Sequence, residues 1–438
     1  MDLYDVFNSI YEKCKTSRVI GNHELCKDYF LLFIKIITWS RGNLQILDSI
    51  SKFHIKDYTV DEKILKLYAS LLEEFNIISY YTNLKEFGCM FSDRLIFAGI
   101  KSKINEGLVL KNQKFYMNKI SAVSRVSISP KCNKNYVPLN SSIIKVHGGY
   151  IVNARTSNYI LTDDGDYIVK DGTGCVNTIN YLMLLDTNFG VMSQNPIVDK
   201  SICDEYSARP VKGLEDVILF RDDKDNLLFT CTTLDTHPNG VPQISLCKLT
   251  NNPDGYGEFI VTNKRPIYLI EEHRPEKNWL PFYTPGKFNF IYSYGPTIIR
   301  TISHTPETFN DIGYISSEKT LENVVGLDLN RFRGSAGPLE FDGGYLVVVH
   351  EVTWLDNGRA RNYVHRFVYM DPRFGIKKLS LPFYFESLSV EFCRSMCNSH
   401  NEDNVILTVG IRDRESWLYI LEKKYVLSLL INLDEFLI

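Results

Sequence analysis

One segment of the sequence has the pattern of a β-hairpin, and that pattern occurs five times. It is clearest at residues 333–351, RGSAGPLEFDGGYLVVVHE, where a polar cluster precedes a short apolar run, a Gly-Gly turn and an alternating run that ends on charged residues. The other copies are NSSIIKVHGGYIVNAR from Asn140, GLEDVILFRDDKDNLLFTCTT from Gly213, KNWLPFYTPGKFNFIYSY from Lys277 and VEFCRSMCNSHNEDNVILTVGIRD from Val390. The chain is therefore predicted to fold from repeated hairpins.

The spacing of the repeats predicts how the hairpins are arranged. Their second strands begin near Gly149, Asn226, Lys287, Gly344 and Asn404, which are 77, 61, 57 and 60 residues apart. Four strands and their loops fit into such a period. We therefore predict a mainly β fold, a five-bladed β-propeller. A β-sandwich with a similar number of strands is the alternative.

Composition indicates a globular protein of a reducing compartment. The 438 residues are 44% apolar and 13% aromatic, enough for a substantial core. The net charge of −3 and the scattered Lys and Arg residues do not fit a nucleic-acid-binding protein.

The ten cysteines have no zinc-site spacing, so free thiols and no metal or other cofactor are expected. The N-terminus lacks the pattern of a secretory signal and the apolar residues 29–39 are too few to span a bilayer, so we expect a cytoplasmic location, in the host if the protein is viral.

The chain divides into two predicted domains. Residues 1–115 are predicted to be helical, because apolar residues between Asp61 and Tyr81 recur every three or four positions. A break at Asn83 suggests a helical hairpin of the tetratricopeptide type, which would bind a protein partner; a plain helical cap is the alternative. Residues 116–438 are predicted to form the propeller, with a C-terminal helix whose apolar positions are Val426, Leu429, Leu430 and Leu433.

An alternating segment, YMNKISAVSRVSI, precedes the first hairpin. In a closed propeller an early strand commonly completes the last blade and so removes an exposed edge. We therefore expect residues 121–129 to pair with the strands that follow Asn404.

The ends of the hairpins nominate a functional site, because the first strands of all blades start near one axis. The candidates at the start of the hairpins are Asn140, Glu215, Asp216, Lys277, Asn278, Trp279, Arg333 and Glu391. The candidates at the far ends, or on the strand that follows, are Arg155, Asn158, Tyr159, Asp235, Tyr294, His350, Glu351, Tyr363, His365, Arg412 and Asp413.

These residue types suit a carbohydrate ligand. Carboxylates facing a pocket can act as acid and base in glycosyl transfer, which makes Asp216, Glu351 and Asp413 the catalytic candidates. Aromatic rings can stack on sugars, and Arg and Asn side chains can hold hydroxyl or phosphate groups. Structural roles are the alternatives: a turn-capping role for Asp216, a core position for Trp279, and hydrogen bonds within the protein for the histidines.

The motifs GLEDVILF, KNWLPF and RGSAGPLEF, together with NSSIIKV and YIVNAR, resemble the five-bladed propellers of the β-mannoside phosphorylase superfamily, which includes glycosidases and mannosyltransferases. The similarity covers about residue 121 to the C-terminus. The segments GGYLVVVHEV, NYVHRFVYMD, LSLPFYFESLSVEF and VGIRDRESWL more closely resemble an uncharacterised subgroup of large DNA viruses and of bacterial fusions with glycosyltransferase or tetratricopeptide domains.

The resemblance implies cleavage, phosphorolysis or transfer of glycosidic bonds without a metal. Asp216 resembles the acidic residue of the second-blade motif, and Arg155 and Arg333 resemble basic residues of the first and fourth blades. The Asn-Pro pair of the phosphorylases is Asn140-Ser141 here. The segment LMLLDTNFGVMSQNP departs from their pattern, so their proton-donating Asp has no assigned counterpart.

Two functions from different classes follow. The first is a carbohydrate-active enzyme, a glycosyltransferase or a glycoside phosphorylase or hydrolase, in which Arg155, Arg333 and Lys277 hold phosphate or a nucleotide-sugar. The second is a non-catalytic glycan-binding or scaffold propeller.

Overall fold

A computed structural model of the chain describes residues 118–201, 211–236, 240–251, 259–268, 274–302, 313–321, 329–354 and 360–433. The predicted helical domain at residues 1–115 lies outside them. The described part is mainly β, as predicted, with one α-helix, Lys423–Leu429. In these ranges no helix has the length and apolar character needed to cross a membrane.

The first described strands form one antiparallel set of four and a small hairpin. In chain order they are β1 Asn118–Lys119, β2 Ser124–Ser127, β3 Val137–Val146, β4 Gly149–Ser157, β5 Tyr159–Leu161, β6 Tyr167–Val169, β7 Val176–Asp186, β8 Val191–Asp199 and β9 Val211–Lys212. Strands β3, β4, β7 and β8 pair in succession, and β5 and β6 form the hairpin between β4 and β7.

The next eight strands form two further antiparallel sets of four. They are β10 Glu215–Arg221, β11 Leu227–Thr233, β12 Gln243–Asn251, β13 Phe259–Tyr268, β14 Leu280–Thr284, β15 Lys287–Tyr294, β16 Thr297–Ile302 and β17 Gly313–Leu321. Pairing is successive within β10–β13 and within β14–β17.

The last strands form the fourth and fifth sets. They are β18 Arg333–Phe341, β19 Gly344–Trp354, β20 Arg361–Met370, β21 Ile376–Ser380, β22 Phe383–Tyr384, β23 Glu391–Asn398, β24 Asn404–Ile411, β25 Glu415–Glu422 and β26 Leu430–Asn432. Strands β18, β19 and β20 pair in succession, and both β21 and β22 pair with β20. Strands β23, β24 and β25 pair in succession.

The first strands of the five sets surround a common centre. Strand β3 contacts β10, β10 contacts β14, β14 contacts β18, β18 contacts β23, and β23 contacts β3. Such a closed circuit is the arrangement of a β-propeller, not of two sheets packed face to face. Each hairpin predicted from the sequence is the first pair of strands in one set.

The expected pairing of the early strand is present. Strand β2 is antiparallel to β25, with Ser124 opposite Ile420 and Ser127 opposite Trp417. The outer edge of the fifth set is therefore covered by a strand from the start of the described chain, and the last set is joined to the first.

The apolar core lies between neighbouring sets. One cluster joins Leu182 and Ile197 of the first set to Leu219, Phe229 and Cys247 of the second. The six described cysteines, two of which are partly exposed, are free thiols.

The C-terminal helix is shorter than its apolar spacing suggested. It ends at Leu429, and Leu430 begins β26, which pairs with β21. The prediction that Leu430 and Leu433 continue the helix was therefore wrong, because the unpaired edge of β21 takes up this segment as a strand. Val426 is fully buried against the fourth and fifth sets.

Candidate functional site

Irregular backbone at equivalent places in the first strands aims polar side chains at the centre. The pairing register shifts at Asn140 in β3, at Asp216 in β10 and at Arg394 in β23. Asn140 and Asp216 have φ of 36° and 50°, a left-handed conformation that Asn and Asp adopt more readily than most residues. A β-bulge bends the strand locally and re-aims its side chain, which brings these residues into one cluster.

Arg155, at the end of β4, is the centre of this cluster. Its Nη1 donates to Asp216 Oδ1 at 2.6 Å, and its Nη2 donates to Glu215 Oε1 at 2.9 Å and to Thr178 Oγ1 at 3.5 Å. The residue is only 3% exposed. Burial disfavours the charged guanidinium, but the carboxylates of Asp216 and Glu215 outweigh this and raise the pKa of Arg155. Lys277 Nζ lies 3.8 Å from Glu215 Oε2 at the rim.

Asp216 is held in its ionised form. Burial works to raise its pKa, but the charges of Arg155, Arg394 and Lys277 and a hydrogen bond from Asn140 Nδ2, at 3.1 Å, lower the pKa to about 2. The carbonyl oxygen of Asp216 accepts from Arg394 Nε at 3.0 Å and Nη2 at 2.6 Å. Its Oδ2 accepts no hydrogen bond from any described residue, so this oxygen is available to a ligand.

The pKa of Asp413 is shifted in the opposite direction. It is 7% exposed, and burial raises its pKa more than the charge of Arg155 and the hydrogen bond from Tyr159 lower it. The Tyr159 hydroxyl donates to Asp413 Oδ2 at 3.0 Å. The charge of Asp216 also raises the pKa of Asp413, so the two carboxyl groups lie within electrostatic reach of each other. One neighbourhood therefore holds two carboxyl groups whose pKa values are shifted in opposite directions, that of Asp216 down and that of Asp413 up.

The structure brings nearly half of the predicted site residues into this cluster or to its rim. They are Asn140, Arg155, Tyr159, Glu215, Asp216, Lys277 and, at the turn after β24, Arg412 and Asp413. Tyr363 lies close by, since the charge of Asp413 contributes to raising its pKa after the larger effect of burial.

Glu351 lies elsewhere, on β19. It forms a buried ion pair with Arg366 Nε on β20, and Arg366 also donates to the carbonyl of Ser380. Burial lowers the pKa of Arg366 to about 9. The arrangement fits a structural ion pair between strands more closely than the catalytic role predicted for Glu351.

Two predicted ligand-stacking aromatics lie in the core. Trp279 is 1% exposed, packs against Phe290 and Tyr292, and donates from Nε1 to Glu276 Oε2 at 2.9 Å. Tyr294 is equally buried and packs beside Phe332. Neither ring is open to a ligand, because both fill the space between blades, as the alternative interpretation of Trp279 held.

The histidines are enclosed as well. His350 Nδ1 is 2.8 Å from Ser335 Oγ, and the ring stacks on Tyr363. His365 Nε2 accepts the N–H of Cys393 at 3.2 Å, and burial lowers its pKa to about 3. Burial also lowers the pKa of His350 well below its ordinary value, so both rings are neutral near pH 7.

Asn158 and Glu391 hold loops in place. Asn158 donates to Asp171 and to the carbonyl of Cys175, and it accepts the N–H of Asn177. Glu391 accepts the backbone N–H groups of residues 385, 386 and 387. These bonds use the polar atoms that were predicted to bind a ligand.

The other three predicted residues have different surroundings. Asp235 Oδ2 pairs with Lys264 Nζ at 2.5 Å, and the same ammonium group pairs with Asp199 at 2.7 Å. Asn278 has φ of 65° and precedes β14. Arg333 is exposed and donates to the carbonyl of Asn330 at 2.8 Å.

Arg394 is the main residue that the sequence reasoning missed. It is 2% exposed, and its Nη1 has no hydrogen-bond partner among the described residues, although the site lies beside it. A signal was present in the sequence, because Arg394 is a charged residue inside the otherwise apolar or small run EFCRSMC, at the repeat position of Asn140 and Asp216.

Comparisons with known proteins give distant structural similarities. No protein-family model and no curated protein matches the sequence. The fold is similar to a β-1,2-mannobiose phosphorylase from Listeria innocua, with a TM-score of 0.46, 13% identity and coverage of 70% of this chain and 95% of that one. It is also similar to MPT-1, a GDP-Man-dependent mannosyltransferase from Leishmania mexicana, with a TM-score of 0.44, 12% identity and coverage of 72% and 94%. MPT-4, a mannose phosphorylase from the same organism, gives a TM-score of 0.40, 10% identity and coverage of 75% and 97%.

Proposed function

We propose that the chain contains a five-bladed β-propeller that cleaves or transfers a glycosidic bond at the Arg155 cluster, with Asp413 as the proton donor. One observation carries the proposal: Asp216 and Asp413 lie in one buried neighbourhood, yet the pKa of Asp216 is lowered to about 2 and that of Asp413 is raised. Carboxyl groups whose pKa values are driven apart are the usual arrangement for glycosyl transfer.

Asp413 fits the role of acid through its hydrogen bonding. The Tyr159 hydroxyl occupies Oδ2, which leaves Oδ1 to carry the proton toward the leaving oxygen of a sugar. Once that proton has left, the carboxylate is stabilised by the Tyr159 hydroxyl and by the charge of Arg155. Tyr159 therefore contacts the carboxyl group of Asp413 both before and after the proton is transferred.

Asp216 fits the role of a fixed negative charge. Arg155 and Asn140 bind its Oδ1, and Arg394 fixes its carbonyl oxygen, so Oδ2 has a defined direction. A carboxylate at this place stabilises positive charge that develops at the anomeric carbon. Water, phosphate or an acceptor hydroxyl from solution then attacks that carbon, which distinguishes hydrolysis, phosphorolysis and transfer.

The surrounding groups support a polar, partly anionic ligand. Lys277 and Arg412 lie at the rim, and Arg394, whose Nη2 donates to the Asp216 carbonyl, has a buried Nη1 without a hydrogen-bond partner among the described residues. The motif resemblance to glycoside phosphorylases and mannosyltransferases points to the same class of ligand. A cytoplasmic location, a viral origin and a protein partner for residues 1–115 remain part of this proposal.

A non-catalytic glycan-binding propeller is the second candidate, and one observation favours it. Arg155 is 3% exposed and both ends of its guanidinium group are paired within the protein, as in a structural ion-pair network. In that case glycan would bind at the rim and no bond would be cleaved.

Leaving-group dependence separates the two candidates. The screen compares wild type with Asp413→Asn and Asp216→Asn, and the control is Glu402→Gln, which alters an exposed carboxylate. Each protein is assayed with unactivated and nitrophenyl glycosides, with and without phosphate, and with nucleotide-sugars. We expect Asp413→Asn to slow unactivated substrates by about 10²–10⁴-fold and nitrophenyl glycosides far less, because good leaving groups need no acid. Equal turnover by Asp413→Asn and wild type on unactivated substrates would remove Asp413 from the mechanism. Glycan binding without turnover of any donor would establish the binding protein instead.

A further inference from the structure

A cleft beside Asp413 is built from parts of three blades. It has a volume of about 200 Å³ and is lined by the β5–β6 hairpin at Leu161, by Arg361 and Asn362 of β20, by the loop at Leu388 and by Arg412. This volume is below that of sites for drug-sized ligands, which run to about 300–1,000 Å³, and suits a single sugar unit.

A chain of side-chain contacts links the cleft to the Arg155 cluster. Tyr159, which donates to Asp413, packs edge-to-face on Tyr167 at 4.9 Å between ring centroids. The Tyr167 hydroxyl accepts a hydrogen bond from Arg361 Nη2 at 2.9 Å. Arg412, which lines the cleft, directly precedes Asp413 in the chain, so the cleft and the Arg155 cluster are neighbours.

The cleft carries positive charge. Arg361 and Arg412 both line it, against the single exposed carboxylate of Asp163. No carboxylate of the described residues lies within ion-pair distance of Arg412, whose side chain is exposed. Arg361 is fixed by the Tyr167 hydroxyl and by stacking over Trp354, 5.4 Å from its ring centroid.

The backbone that presents Arg412 is strained. Arg412 and Asp413 have φ of 53° and 50° in the short turn between β24 and β25. Two left-handed residues in a hairpin turn are normally Gly, Asn or Asp, and Arg is disfavoured there. Residues held in such a conformation cluster at functional sites, which directs attention to the Arg412 side chain.

The wall of the cleft formed by residues 388–390 is preformed. In the loop at residues 385–390, three backbone N–H groups donate to the Glu391 carboxylate. The loop also accepts two hydrogen bonds: the Ser389 carbonyl accepts the N–H of Tyr363 at 2.9 Å, and the Val390 carbonyl accepts the N–H of Arg412 at 2.7 Å. Glu391, predicted to bind substrate directly, therefore positions this wall. A preformed site binds without the entropy loss of ordering a loop.

We propose that this cleft is a subsite for an acidic sugar, whose carboxylate or phosphate group binds Arg412 and Arg361 while the exposed ring of Tyr167 packs on the sugar. The sugar part of the proposal rests on the proposed glycosyl chemistry of Asp413. Guanidinium groups pair with both anions in forked geometry, and an aromatic face covers the apolar face of a pyranose. The glycan is then one that carries a charged unit next to the bond that is cleaved.

Calorimetric binding in the Asp413→Asn background tests the subsite without turnover. The probes are a neutral β-linked disaccharide, its hexuronic acid counterpart, its 6-phosphate counterpart and inorganic phosphate. We expect the acidic disaccharides to bind about tenfold or more tightly than the neutral one, as charge-assisted hydrogen bonds require. Whichever acidic disaccharide binds more tightly identifies the preferred anion, carboxylate or phosphate. Equal binding of neutral and acidic disaccharides, or binding of inorganic phosphate as tight as that of either acidic disaccharide, overturns the proposal.

Arg412→Gly separates ligand binding from folding. Gly relieves the left-handed conformation, so the melting temperature should not fall, while the preference for acidic over neutral disaccharide should disappear. Arg373→Gln, which alters an exposed arginine in the turn before β21, should keep that preference. Tyr167→Ala should weaken binding of the neutral disaccharide through loss of the ring, and binding of the acidic disaccharides further, because it also removes the hydroxyl that fixes Arg361.

A preference for acidic disaccharide that survives Arg412→Gly overturns the role of Arg412. The outcome is independent of catalysis. A protein that discriminates in binding but turns over no glycoside loses the proposed activity and keeps the subsite, whereas one that turns over neutral glycosides without discrimination loses the subsite alone.

Discussion

Replacement of Asp216 by Asn tests the electrostatics of the Arg155 cluster through stability. A pKa of about 2 in the folded protein against 3.8 in the unfolded chain corresponds to about 2 kcal/mol of stability at neutral pH. Asn keeps the shape of the side chain, and Glu215 remains as a partner of Arg155. We therefore expect Asp216→Asn to lower the free energy of unfolding by about 2 kcal/mol at pH 7.

The same shift fixes the pH dependence. Because the folded pKa of Asp216 is lowered, its contribution is present above pH 3.8 and is lost as the pH falls through about 2. The difference in the free energy of unfolding between wild type and Asp216→Asn should therefore be about 1 kcal/mol smaller at pH 3 than at pH 7. Urea unfolding followed by tryptophan fluorescence measures it, with Glu402→Gln as the control. An equal difference at pH 7 and pH 3 would refute the assignment of the shift to Asp216.

Three further predictions concern the fold. Trp279→Ala should lower the free energy of unfolding by about 3–5 kcal/mol, since it empties a core position and leaves Glu276 without its indole partner; thermal melting measures this. Glu351→Met should cost about 3–5 kcal/mol because Arg366 is left buried and unpaired, whereas the double replacement with Arg366→Met should recover most of the loss. A single replacement no worse than the double one would show that the pair is not structural. Deletion of residues 116–130 should abolish cooperative unfolding, because β2 closes the fifth set, and an unchanged melting curve would contradict the closure.

The hairpins were predictable because strand period and turn chemistry are local. Gly343-Gly344 supplies a left-handed turn residue between two alternating runs, and the pairing of Phe341 with Gly344 follows from it. The repeat positions of Asn140, Asp216 and Arg155 were sufficient to predict that these side chains lie near one axis. The pairing of β2 with β25 followed from the need to cover an edge.

Partners across strands were not predictable, because register and burial depend on tertiary packing. Glu351 lies at the expected end of its hairpin, but its carboxylate forms an ion pair with Arg366 on β20. Trp279 has the repeat position of a pocket residue, yet the space between blades requires a large apolar group there. Arg394 was not predicted, since a charge within a strand usually points to solvent, and only the bulge turns it to the centre.

The pH dependence of kcat/KM for an unactivated glycoside tests the central role of Asp413 most directly. A general acid must be protonated, so activity should fall as the pH rises through the pKa of Asp413, which lies above its ordinary 3.8. Wild type should show this decline, and Asp413→Asn should be slower and lack it. A decline of the same midpoint in Asp413→Asn would contradict the account and assign the acid to another group.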